Sequence, residues 1–416
     1  MTPSLLDRRR LLRGIGAGIT LSRFLPEAAW GGEPAKKPAG GKALVVVFQR
    51  GAADGLSMVV PFKDQRYYQY RPTIAIAPPG HGDDAALPID ATFALHPALA
   101  PLMKLYKASK LAIVHSVGSP DRTRSHFDAQ DFVESGTPGL RATEDGWVNR
   151  ALAMKKPPRE SPFRAVALQP NLPRLLSGPA PALAVASLAD FKVQPRGVAG
   201  VKSRDFEQMY AGSVDQVLKG TASEAFDAMD QMLKIGGMPA ESGVSYPSSP
   251  LGKRLQQIAQ LVRADVGLEV AVTECGGWDT HAGQGDAQGQ LAKKLGDLAD
   301  GLVAFAADLD KRLDDVCLVT VTEFGRTVRE NGTKGTDHGH GSVMMVLGGK
   351  ARGGKIYGKW KGLADDQLWE ARDLAATTDH RDVFGEILRA HFGIKDLAPI
   401  FPGYSPSPLA RVALFG

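Results

Sequence analysis

The chain has 416 residues, 43% of them hydrophobic and 23% charged, with a formal net charge of +5 and two cysteines. That length supports one large domain or a domain with insertions; two cysteines exclude a disulfide framework, and no C-x-x-C motif is present. The charge is no footprint for nucleic acid, because residues 1–30 hold a net +3 and residues 31–42 a further +2, which leaves the rest near neutral.

Residues 1–30 open with the basic "DRRRLLRG", continue through the weakly apolar "GIGAGITLS" and leave through the small-residue "PEAAWGG". This order reads as a cleaved export signal. Its apolar middle falls short of the roughly 20 residues that span a bilayer, so no stable membrane span is expected. Arg8-Arg9 ahead of Leu11-Leu12 resemble the twin-arginine type, read by machinery that exports folded proteins to the periplasm or beyond. Residues 31–42, "GGEPAKKPAGGK", form a flexible tether. The folded domain then runs from 43 to 416.

Buried strands are expected at 43–48 and 111–115, with apolar residues at helical spacing over 96–110 between them. A helix opens near Ser125 in "SPDRTRSHFDAQDFVESG", with Asp128 three residues on, close to a capping box. Residues 151–250 are less regular and dense in proline; they read as an insertion or cap on the main sheet, with a helical stretch at about 203–235. From 250 the order is helix, strand (268–273), a helix of about two dozen residues, strand (317–321), strand (342–347) and a closing amphipathic helix. Strand, long helix, strand implies a crossover and a parallel pair. Near-continuous apolar runs imply strands covered on both faces. The expected fold is a three-layer α/β/α sandwich with a mostly parallel sheet. Cys275 would end one strand and Cys317 begin another. In parallel strands they would sit at opposite sheet edges, beyond the roughly 7 Å that a disulfide bridges.

Polar residues cluster at the strand ends: Asp54, Ser125, His126, Asp128, Asp279, His281, Glu323 and Arg326 follow strands, and Asp337, His338 and His340 precede one. In open α/β sheets the crevice at the carboxyl ends of the strands is the ligand site. Mixed histidine and carboxylate donors suit Zn²⁺, Mn²⁺ or Fe, and two ions about 4 Å apart would clamp an in-line displacement. Ser125, at a helix start, reads as a nucleophile or as an N-cap alone. Arg326 reads as a bidentate clamp on a phosphoryl or sulfuryl group or as an ordinary ion pair. His126 is equally compatible with packing and with binding.

The segments "VVVFQRGAADGLSMVVP", "DRTRSHFDAQDF", "GGWDTHAGQ", "TEFGRTVRENGTKGTDHGHG" and "GGKIYG" resemble, in order, an exported bacterial family catalogued as domain of unknown function 1501. That family in turn is similar to the alkaline phosphatase and sulfatase superfamily. The resemblance implies an alkaline phosphatase-like fold, one or two divalent transition metal ions, and Asp54, Asp279, His281 and either His338 or His340 as metal ligands; their places at the strand ends add Glu323 and Asp337 as candidate ligands and Ser125 and Arg326 as candidate catalytic residues. Glu323-Phe324-Gly325 stands where the superfamily has a strand ending in Asp-His-Gly. No cysteine stands at the nucleophile position, which removes formylglycine chemistry. The function expected is an exported metal-dependent hydrolase of phosphate or sulfate esters, on small-molecule or polysaccharide substrates, with serine or metal-bound water as nucleophile. The competing expectation is a non-catalytic periplasmic metal- or ligand-binding protein on the same fold.

Overall fold

The apolar run ALVVVFQR forms β1 (Ala43–Arg50), and its alternation decides the architecture. Ala43, Val45 and Val47 join one buried cluster, whereas Leu44, Val46 and Phe48 join another. Successive strand side chains point to opposite faces, so a strand apolar at every position must be covered twice. The computed structural model describes residues 41–140, 143–158, 160–188, 231–232, 234–241, 243–405 and 412–416. The expected export signal, residues 31–40 of the tether and most of the helix expected at about 203–235 lie outside these residues.

The further strands of the main sheet are β2 (Leu111–Gly118), β3 (Ala165–Ala167), β4 (Leu183–Ala184), β5 (Val270–Gly276), β6 (Val316–Val321), β7 (Ser342–Gly348), β8 (Ile356–Tyr357) and β9 (Thr378–Asp379). Their order is β8-β2-β7-β6-β1-β5-β3-β4, with β9 also pairing β2. β1 runs parallel to β5 and β6, and β3 runs parallel to β5 and β4. β7 is antiparallel to both neighbours, β2 and β6. The sheet is therefore mixed but mostly parallel. Helices α3 (Pro250–Arg263) and α4 (Gln290–Leu309) cover one face. Their apolar stripe (Leu255 and Ile258 on α3; Leu291, Leu295, Leu298, Leu302 and Phe305 on α4) enters the first cluster. Helices α1 (His126–Ser135), α2 (Trp147–Ala153) and α5 (His380–Phe392) cover the other, through Val133, Trp147, Val148, Phe384 and Ile387. This is the three-layer α/β/α arrangement expected from the strand composition.

Three local expectations shift. The helix expected over 96–110 divides into a 3-10 segment (Pro97–Leu102) and an α-helical turn (Met103–Lys107); Pro101, lacking an N–H, cannot continue an α ladder. β5 and β6 are parallel, as their long crossover requires, yet β1 lies between them. Part of the segment read as an insertion or cap is integral to the sheet, since β3 and β4 extend its edge; residues 189–230 of that segment lie outside the described residues. Both cysteines are free. Cys275 aligns with Gln49 and Cys317 with Leu44, five positions apart along β1 and so about 16 Å apart along the strand direction. Among the described residues no helix is long and apolar enough to cross a membrane.

Candidate functional site

The carboxyl ends of β1, β5 and β6 open on one rim, and β2 runs in the same direction. Because β7 runs the opposite way, its amino-terminal approach, residues 335–341, reaches that same rim. Two glycines let this approach lie against the loop after β6. A Cβ at Gly325 would overlap the Gly341 carbonyl, and one at Gly339 would overlap the Arg326 backbone. In their place run backbone bonds from Gly325 N to the His340 carbonyl (2.8 Å), Gly339 N to the Gly325 carbonyl (2.8 Å) and Thr327 N to the Asp337 carbonyl (2.8 Å). Arg326 and His338 thereby become bridge partners.

Three imidazoles then face one carboxylate, and each is oriented in the same manner. His126 Nδ1 lies 2.8 Å from Glu323 Oε1, His281 Nδ1 lies 3.0 Å from Asp337 Oδ1, and His338 Nδ1 lies 2.8 Å from the Arg124 carbonyl. An acceptor at Nδ1 places the proton there and leaves Nε2 with its lone pair. All three Nε2 atoms point at Asp279. His281 Nε2 is 3.0 Å and His338 Nε2 3.3 Å from Asp279 Oδ1, and His126 Nε2 is 3.5 Å from Oδ2. The Nε2 atoms of His281 and His338 are themselves 3.0 Å apart. Donors around a tetrahedral ion with bonds of about 2.0–2.1 Å stand roughly 3.3 Å from one another, so these separations fit a single transition-metal ion. His126, Asp279 and His338 form a three-residue group with all ligand atoms within 4.8 Å of each other. His126 Nε2 is buried and makes no hydrogen bond, an orphaned polar atom that a bound cation would satisfy.

The electrostatics follow from the neighbours. The hydrogen bond to Glu323 raises the His126 pKa above its ordinary value, against the opposing effect of burial. Burial lowers that of His338. Burial would raise the Asp279 carboxyl, but the Arg326 guanidinium, 2.5 Å away, holds it below the usual range. Asp279 thus remains an anion with one oxygen braced from behind. Phe324 stacks on His126 and packs against His338, with centroids 5.0 Å apart in both cases. Phe324 is thus an apolar floor under two imidazoles.

The sequence candidates divide accordingly. Asp279, His281 and His338 converge. Glu323 and Asp337 are not brought to the centre as donors; they orient His126 and His281 from outside. Arg326 has a side chain 0% exposed, with Nε on the Thr336 hydroxyl and Nη2 on its carbonyl. It braces Asp279 and has no free edge for a substrate anion. Asp54 is buried in a bidentate pair with Arg71 (2.6 and 3.0 Å), and also accepts from Ser57 and Gln284; protein donors already occupy its oxygens. His340 is buried and stacked on Trp369, with centroids 4.7 Å apart, and burial pushes its pKa down to about 4. Ser125 is exposed at the N-cap of α1, and its hydroxyl makes no capping bond. Sequence reading left His126 undecided; the available signal was its place beside Ser125 at the start of a helix that follows a buried strand.

No curated protein matches the chain significantly. Among solved structures it is similar to a sulfatase from Pseudoalteromonas sp. (13% identity, 84% of this chain and 68% of that one, TM-score 0.37). It is also similar to the C-terminal periplasmic domain of EcEptC from Escherichia coli in complex with Zn (10% identity, 79% and 76%, TM-score 0.35). A third is a phosphonate monoester hydrolase from Silicibacter pomeroyi (11% identity, 88% and 78%, TM-score 0.33). Residues 41–399 match the family model described as "Protein of unknown function (DUF1501)", and the chain belongs to that family.

Proposed function

We propose that this chain is an exported, metal-dependent hydrolase of phosphate or sulfate esters, with a single transition-metal ion held by Asp279, His281, His338 and His126. The observation that carries the reading is the convergence of three Nδ1-anchored imidazoles on one braced carboxylate at the open rim of the sheet. The nitrogen and oxygen donor set favours Zn²⁺ or Mn²⁺. Such an ion, when bound, polarises an ester oxygen and acidifies a bound water. Asp279 supplies the fixed negative charge, and the three imidazoles supply neutral donors. Ser125 is exposed beside His126, and its hydroxyl is not spent on capping. In the serine route its Oγ attacks phosphorus or sulfur, and the alcohol departs with a proton. Water then cleaves the seryl ester, which restores the serine and releases phosphate or sulfate. In the alternative route water attacks directly. The substrate class is a small-molecule or polysaccharide ester, and Arg8-Arg9 direct export through the twin-arginine machinery.

Arg326 favours the second reading, a non-catalytic metal- or ligand-binding protein, because its commitment to Asp279 and Thr336 leaves it no edge to clamp a substrate anion. One experiment separates the two. Protein purified without chelator is analysed for metal and assayed with aryl phosphates and aryl sulfates. The hydrolase reading expects about one equivalent of transition metal and turnover that chelator abolishes. Metal without turnover across the ester panel selects the binding protein, and protein that takes up neither zinc nor manganese rejects the metal centre on which the hydrolase reading rests.

A further inference from the structure

Glu323 is a carboxylate with a side chain 0% exposed, at the end of β6. Its Oε1 accepts from Gly51 N (2.8 Å), Gln130 Nε2 (2.9 Å) and His126 Nδ1 (2.8 Å), and its Oε2 accepts from the Thr322 hydroxyl (3.0 Å). His126 is its one donor able to carry a charge; the other three are neutral. Burying an anion among neutral donors is costly unless a positive charge compensates it. A neutral Nδ1–H imidazole does not supply that charge; a cation at its far nitrogen, which is buried, without a hydrogen bond and turned toward Asp279, would. Gln130 lies on the same helix as His126 and donates to the same oxygen, so α1 is docked to Glu323 twice. Phe324, the next residue, fixes the plane of the ring by stacking at 29°.

We infer that Glu323 is a positioning residue for the metal centre: it locks His126 in the Nδ1–H form, with Nε2 aimed at the ion, and its charge is transmitted through the ring to the metal. This rests on the metal reading above, which counts His126 among the donors, and extends it by making that donor depend on one buried carboxylate. A hydrogen-bonded carboxylate behind a metal-bound histidine raises the ring's basicity, and its loss typically weakens metal affinity by about 10–100-fold. Glutamine at 323 keeps an acceptor and loses the charge, whereas leucine loses both.

The test measures Zn²⁺ affinity by competition with a chromophoric chelator for wild type, Glu323→Gln and Glu323→Leu. Melting curves in chelator report the fold, and the absorption spectrum of Co²⁺-loaded protein reports ligand geometry. Glu323→Leu is expected to lose affinity by about 10–100-fold with an altered cobalt spectrum, and Glu323→Gln to fall between it and wild type. A role confined to packing would lower the melting temperature in chelator and leave affinity and spectrum unchanged; that result overturns the inference. If Glu323→Leu fails to fold, Glu323→Gln and histidine ¹⁵N spectra of the zinc-loaded wild type carry the test. The His126 resonance, assigned with His126→Gln, must show a protonated Nδ1, and the opposite tautomer sinks the inference. Wild type that binds neither Zn²⁺ nor Co²⁺ rejects the metal reading itself, an outcome distinct from unchanged affinity in the variants.

Discussion

His338 and His340 are two residues apart, yet their environments differ. His338 Nε2 faces His281 and Asp279, while His340 packs on Trp369. Replacing either His281 or His338 by alanine should therefore lower bound metal, and with it the melting temperature in metal-loaded samples. At metal a hundredfold above the dissociation constant the stability at stake is about 2.7 kcal/mol, and the difference should disappear in chelator. His340→Ala should leave metal content intact and cost stability through lost packing; reduced metal in that variant would contradict the assignment. Asp54 is the complementary case. Its carboxylate is closed off by Arg71, Ser57 and Gln284. Asp54→Ala leaves the Arg71 guanidinium buried without its counter-charge, which costs about 3–5 kcal/mol. Calorimetry should show that loss, and metal analysis should show none. The residue types around the rim were legible in the sequence. Which of two neighbouring histidines turns inward was not, because that depends on a Trp369 ring and an Arg124 carbonyl from distant segments.

At the scale of elements, the start of α1 and the direction of β7 do most to assemble the site. Ser125 occupies the N-cap position without a side-chain capping bond. Ser125→Ala should thus change stability by no more than about 0.5 kcal/mol, while a lost nucleophile costs several orders of magnitude in rate. Steady-state assays and thermal melts on one variant separate the roles. If the variant keeps more than about a tenth of wild-type turnover, a barrier change of only about 1.4 kcal/mol, water is the nucleophile. The helix start in "SHFD" was legible; the near capping box read there is not formed by the serine hydroxyl, since local sequence does not set a side-chain rotamer at a rim. The antiparallel course of β7 was equally hidden. A buried strand is apolar in either direction, and only its pairing with β6 and β2 shows that residues 335–341 arrive at the carboxyl ends of the parallel strands and not at the opposite edge.

At the scale of the whole molecule, burial outside the site sets the response to acid. His115, His380 and His391 are buried, and desolvation lowers each pKa to about 4. Their unfolded values lie near 6.5, so between about pH 6.5 and 4 the unfolded chain binds protons that the folded chain does not. Stability therefore rises with pH in that window, by up to about 1.4 kcal/mol per pH unit for each such group, and is lost on acidification below about 6.5. Denaturant melts in chelator across pH 4–7 should show this slope, and His115→Gln should flatten it; a flat wild-type profile would exclude the neutral buried imidazoles. By itself the sequence determined the α/β class, the long strands β1, β2, β5, β6 and β7, the helices α1, α3, α4 and α5 and the family, because each depends on apolar periodicity or on contiguous motifs. Only the tertiary structure decided that Asp54 and Arg326 are committed to protein partners, that Glu323 and Asp337 stand behind histidines, and that His126 joins the centre. Those roles depend on which atoms lie within about 3 Å across segments as much as 272 residues apart, and chain order does not encode that distance.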